Sequence, residues 1–180
     1  IMIVKDRDSK LLFADVVPKK GVHPCAVERL NQNLNLLGHN KLVLKSDGEP
    51  AIVALKQAVQ RQRDASIILE ESASYDSKGN GEVENAIRQV QGQFKSIKSS
   101  LESRYSTRID GRHQCIPWLF KHSTQSLNRY LVGSDGKTAV QRWKGKAFNR
   151  TVAEFGENVM YLKPNSKGKD TTHTPGGGAT

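Results

Sequence analysis

Two carboxylates stand where the surrounding pattern could put them to use. Asp47 follows the short aliphatic run Lys41-Leu42-Val43-Leu44-Lys45 and, with Ser46 and Gly48, marks a strand running into a tight turn. Glu84 lies at the head of a strongly helical stretch, just after the small, polar, glycine-bearing segment 70–81. Ligands tend to bind at the C-terminal ends of strands in open α/β sheets, and a carboxylate there can meet one from the start of a neighbouring helix. Asp47 and Glu84 are therefore a candidate metal-binding pair. Each also has an ordinary reading: Asp-Gly is a common turn signal, and Glu84 can be one charge on the solvated flank of an amphipathic helix.

The elements that must position this pair follow from hydrophobic spacing. Residues 1–4 and 11–17 are aliphatic and β-branched runs split by a polar link, the pattern of a β-hairpin. Pro24 suits a first helical turn, and Val27, Leu30, Leu34 and Leu37 recur at helical spacing until Gly38. Pro50 opens a second helix whose apolar face is Ile52, Leu55, Ala58 and Val59, with Lys56, Gln60, Arg61 and Arg63 assigned largely to the other faces. Residues 66–69 read as a strand and 70–81 as a mobile surface loop. From Glu82 to about Arg104, Val83, Ile87, Val90, Phe94, Ile97 and Leu101 alternate steps of four and three. One position further round, Glu84, Arg88, Gln91, Lys95 and Lys98 keep the same rhythm, so a carboxylate heads a mostly basic stripe. Lys95 and Lys98 could neutralise phosphates or simply solvate the helix. Further helices are expected over 116–130 and 138–143. The order predicts an α/β fold, a mixed sheet with helices packed on it.

The composition narrows the partners. At 180 residues the chain can bury one proper core with an appendage. Its formal charge of +10 favours an anionic partner such as nucleic acid. No apolar run approaches the roughly 20 residues that span a bilayer, which points to a soluble intracellular protein with no membrane partner. Cys25 and Cys115 are too few and too isolated for a disulfide framework, and His113, Cys115 and His122 match no zinc spacing. Ile1 opens directly into an apolar run, so the chain reads as a fragment, and the segment around Pro175 and Gly176–Gly178 reads as disordered.

Leu44-Lys45-Ser46-Asp47-Gly48-Glu49-Pro50, then Asn80-Gly81-Glu82-Val83-Glu84-Asn85, resemble the second and third acidic motifs of the DDE integrases, with 36 residues between Asp47 and Glu84. Residues 1–17 resemble the second and third strands of that fold, including Asp6, Arg7 and Ser9 in the turn. Gly136-Lys137-Thr138-Ala139 and Phe155-Gly156-Glu157 resemble the segment that closes the integrase core in copia-type LTR retrotransposon Pol polyproteins.

The resemblance implies a ribonuclease H-like mixed sheet flanked by helices and lacking its first strand. The core would cover 1–135, a closing segment or linker toward a C-terminal DNA-binding module 136–163, and a disordered tail 164–180. It implies a polynucleotidyl transferase that trims element DNA ends and joins them to target DNA in the nucleus, acting as a homo-oligomer on double-stranded DNA. Asp47 and Glu84 would be two of three carboxylates holding a pair of Mg²⁺ or Mn²⁺ ions, and Arg88 would contact DNA. The third carboxylate would belong to the strand preceding residues 1–4, so this fragment alone is expected to be inactive. Asp6 and Asp8 fall in the hairpin turn and Asp15 on the next strand, poor substitutes for it. A nuclease of the same fold, and a decayed or co-opted copy that binds nucleic acid without catalysis, stay open as alternatives.

Overall fold

The computed structural model describes residues 1–63, 66–72 and 77–160, with the backbone alone for 77–80. The expected hairpin forms from β1 (Met2–Lys5) and β2 (Leu12–Asp15), paired antiparallel with Ile3 opposite Ala14. Its turn is closed by the Asp6 N–H donating to the Leu11 carbonyl at 2.9 Å and by the Asp6 carboxylate accepting from the Ser9 N–H at 2.8 Å. Strand alternation sends Met2 and Val4 to one face and Leu12 and Ala14 to the other.

Helix α1 (Pro24–Leu37) begins with Pro24, whose missing N–H costs nothing in the first turn, behind a His23 cap whose Nδ1 accepts from the Cys25 N–H at 3.2 Å. It ends at Gly38, where φ is 74°. Strands β3 (Lys41–Ser46) and β4 (Ser66–Glu71) pair in parallel, joined through α2 (Pro50–Arg61). The core of this half is Ala26, Val27, Leu30, Leu34, Leu55, Val59 and Ile67. The opposite face of β3 and β4 is open, with Val43 and Ile68, direct partners in the ladder, 54% and 47% exposed.

The single mixed sheet expected from the sequence is not what the described residues form: they form two separate two-stranded sheets. Met2 and Val4 of β1 and Leu42 and Leu44 of β3 pack against the same helical core, so side-chain burial rather than backbone pairing holds the two sheets together. Alternating apolar residues specify which face of a strand turns inward, not which edges meet.

Helix α3 (Ser77–Arg104) lies against β1, and α4 (Ile116–Tyr130) against both α3 and β2. Val90 and Leu101 are buried as expected, joined by Ala86, and Phe94 stacks on Phe120 with ring centroids 4.1 Å apart. Helix α5 (Ala139–Lys144) starts at Thr138, whose hydroxyl accepts from the Gln141 N–H at 3.2 Å. The loop expected over 70–81 is corrected at both ends, since β4 continues to Glu71 and α3 begins at Ser77; residues 73–76 lie outside the described residues. One compact unit covers Ile1–Phe148 and a second Asn149–Thr180. In the second, a turn over Glu154–Glu157 is described, while the tail expected over 164–180 lies outside the described residues. Among the described residues no helix is long and apolar enough to cross a membrane.

Candidate functional site

Asp47 is exposed and sits one residue beyond the C-terminal end of β3, where the Ser46 hydroxyl donates to its backbone carbonyl at 2.8 Å. Glu49 and Pro50 then turn the chain into α2, with the Ile52 and Val53 N–H groups donating to the Glu49 carbonyl at 2.9 and 3.0 Å. Because β3 and β4 are parallel, the C-terminal end of β4 lies alongside: Lys45 faces Glu70 and Ser46 faces Glu71. Lys45 and Glu70 form an ion pair at 2.8 Å, and this bond to Lys45 holds the Glu70 carboxyl below its ordinary range. A side chain at Gly48 would lie beside the Glu71 carboxylate.

The group that answers these carboxylates is Lys56, which the sequence reading had assigned away from the apolar face of α2. That reading is corrected: Lys56 is 2% exposed. Its Nζ donates to the Glu70 carbonyl at 2.8 Å. Burial pulls its ammonium below the ordinary lysine range, and the negative charges of Glu71, Asp47 and Glu70 act in the opposite direction. A signal existed in the sequence, since Ile52, Lys56 and Val59 are spaced four and three and so share one helical row.

Glu84 is exposed on α3, but seven residues inside the helix rather than at its head, because the helix starts at Ser77. Its neighbour Glu82 is the residue engaged by the hairpin, with Lys5 at 3.9 Å and Lys10 at 3.6 Å. Glu82, Asn85 and Gln89 line a groove of about 500 Å³ together with Lys5, Lys10 and Arg142. On the basic stripe Arg88, Gln91 and Lys95 are exposed. Lys98 is half-buried and committed, its ammonium donating to Glu102 at 2.7 Å, and Glu102 also accepts from the Ile109 N–H at 2.7 Å. Those two bonds, that from Lys98 first, lower the Glu102 carboxyl below its usual range.

Two of the remaining acidic candidates, Asp6 and Asp15, serve the fold. Asp6 closes the hairpin turn through Ser9, and Asp15 accepts from the Asn33 amide at 2.7 Å. His113 Nδ1 lies 3.0 Å from Cys115 Sγ. Among the described residues no three or more His, Cys, Asp or Glu side chains form a group able to hold a metal ion, so Asp47 and Glu84 do not belong to one here. The oxygen donors at the end of β3 and β4 are of the kind hard cations take. They do not fit a bound divalent ion as they stand, because Glu70 is paired with Lys45 and no three acidic, histidine or cysteine side chains come together among the described residues. Compared with protein-family models and with curated proteins, the chain finds no match.

Proposed function

We propose that this chain is a segment of a DDE-type integrase core of the copia-type retrotransposon class, a polynucleotidyl transferase that processes element DNA ends and joins them to target DNA. The observation that carries this reading is the position of Asp47: an exposed carboxylate at the C-terminal end of a parallel strand pair, followed at once by a helix. The hairpin followed by a parallel pair with a crossover helix supports a ribonuclease H-like arrangement. Asp47 and Glu84 are read as two of its metal-binding carboxylates, with Mg²⁺ or Mn²⁺ as the ions and Arg88, Lys95 and Lys98 along the DNA. A formal charge of +10 supports a DNA partner, and joining two DNA ends together calls for a homo-oligomer.

The test uses a longer chain that adds about sixty residues before Ile1, a length set by typical domain sizes. With Mn²⁺ and a pre-cut element end, joined product is expected, and Asp47→Asn or Glu84→Gln should each abolish it. Joining that survives both substitutions sinks the reading. Hydrolysis without joining would make the protein a nuclease of the same fold. A second reading, a nucleic-acid-binding module without catalysis, is supported equally by the formal charge of +10. It predicts DNA binding with neither hydrolysis nor joining.

A further inference from the structure

Half of the chain's formal charge of +10 lies in residues 116–148, where six basic residues stand against one acidic residue, Asp135. Asp135 is taken by Arg142, so the other five basic residues have no acid in the segment to answer them. Helix α4 holds no Asp or Glu at all. It buries Leu119, Phe120, Ser123 and Thr124 and turns the opposite face outward. Trp118 and Arg129 are 11 positions apart. That is about three turns, so they share the outward face roughly 16 Å apart along the axis. Trp118 is 56% exposed there, although an indole is among the side chains that gain most from burial. The Lys121 ammonium lies 5.9 Å from the centre of its ring. At the other end the Arg129 guanidinium lies 4.7 Å over the Phe148 ring, which Tyr130 meets edge-on with centroids 6.0 Å apart.

We propose that this outward face of α4, with Phe148 at its end, binds single-stranded nucleic acid: Trp118 stacks on a base while Lys121 and Arg129 neutralise the neighbouring phosphates. Two features select that partner. The unanswered positive charge complements a phosphate backbone. An exposed ring beside a cation is the kind of platform on which unpaired bases stack, whereas a duplex keeps its base faces stacked on one another. The surface draws on neither Asp47 nor Glu84 and includes none of Arg88, Lys95 and Lys98, so it stands whether or not the chain is an integrase core.

The experiment titrates the chain with a single strand of about 16 nucleotides, the upper site size of common single-strand modules, and with a duplex of the same length. Binding is read by tryptophan fluorescence and by anisotropy of the labelled nucleic acid, with circular dichroism to verify the fold. The single strand should quench the fluorescence and the duplex should not, and Trp118→Phe should remove the quenching. Trp118→Ala should weaken single-strand binding about tenfold, the effect of one base–aromatic stack, and leave duplex binding within about twofold. Trp118→Phe should retain most of the affinity, because it keeps a flat ring. Lys121→Gln should lower the salt slope for the single strand by about 0.7, the value for one phosphate on a single strand. Equal losses for strand and duplex in Trp118→Ala overturn the proposal. So does self-association of the chain that Trp118→Ala abolishes while single-strand binding is unchanged, since the face would then belong to a second copy. Should Trp118→Ala fail to fold, the unsubstituted chain decides: a single strand that leaves its tryptophan fluorescence unmoved also overturns the proposal.

Discussion

Arg142 grips Asp135 at both carboxylate oxygens, with its Nε donating to Oδ2 at 2.9 Å and its Nη2 to Oδ1. The fork geometry of a guanidinium suits such a pair, and with the Lys137 N–H it brings the Asp135 carboxyl from 3.8 to about 2. A depressed carboxylate value means that the pair's contribution to stability is in place above 3.8 and is lost as pH falls through about 2. Titrating the Asp135 carboxyl by carbon-13 NMR should show its midpoint returning most of the way to 3.8 in Arg142→Gln; a midpoint left near 2 would assign the effect to the Lys137 N–H instead. Asp47 was legible as an exposed carboxylate because it adjoins Gly48 in a turn, and Glu84 because it falls one position off the apolar face of its helix. Lys56 was not, since lysine is almost always solvated and only the four-three spacing of Ile52, Lys56 and Val59 argued otherwise.

Among the elements, β2 would expose a strand edge were it not for α4. The side-chain amide of Asn128, itself buried, accepts from the Leu12 N–H at 2.8 Å and donates to the Leu12 carbonyl at 2.8 Å, taking the place of one residue of a neighbouring strand. Asn128→Ala should cost about 2–3 kcal/mol, the penalty for leaving a buried backbone donor and acceptor unpaired. Urea unfolding monitored by circular dichroism measures it, and a loss below about 0.5 kcal/mol, within the range of an ordinary surface change, would mean that water replaces the amide. Helices α1, α2 and α4 could be read from the sequence because each opens on a proline in its first turn. The start of α3 could not: each of Gly79 and Gly81 disfavours a helix by roughly 1 kcal/mol relative to alanine, and the local penalty argued for a loop. The β1–β2 hairpin was legible because its partners are close in sequence, but the separation into two sheets was not, because which further strand edges meet is decided by contacts distant in sequence.

For the molecule as a whole, the proposed DNA partner implies binding that weakens with salt, with a slope set by the number of phosphates neutralised. Arg88→Gln and Lys95→Gln should each reduce that slope by about 0.9, the value for one phosphate contact on a duplex. Lys98→Gln should change it less, because its ammonium is already engaged by Glu102. Fluorescence anisotropy across a salt series tests this, and equal changes at all three positions would show that Glu102 releases Lys98 to the DNA.

The cover of β2 also has a history within each molecule's synthesis. Asn128 lies 116 positions after Leu12. At ribosomal rates of about 5–20 residues per second, the β2 edge emerges on the order of ten seconds before the amide that will close it. During that interval the hairpin offers an unpaired backbone edge to any other extended chain nearby. A ribosome that pauses between these two points would therefore hold out a chain with this edge open for longer, and slow translation of this segment should lower the yield of folded chains more than slow translation after Asn128.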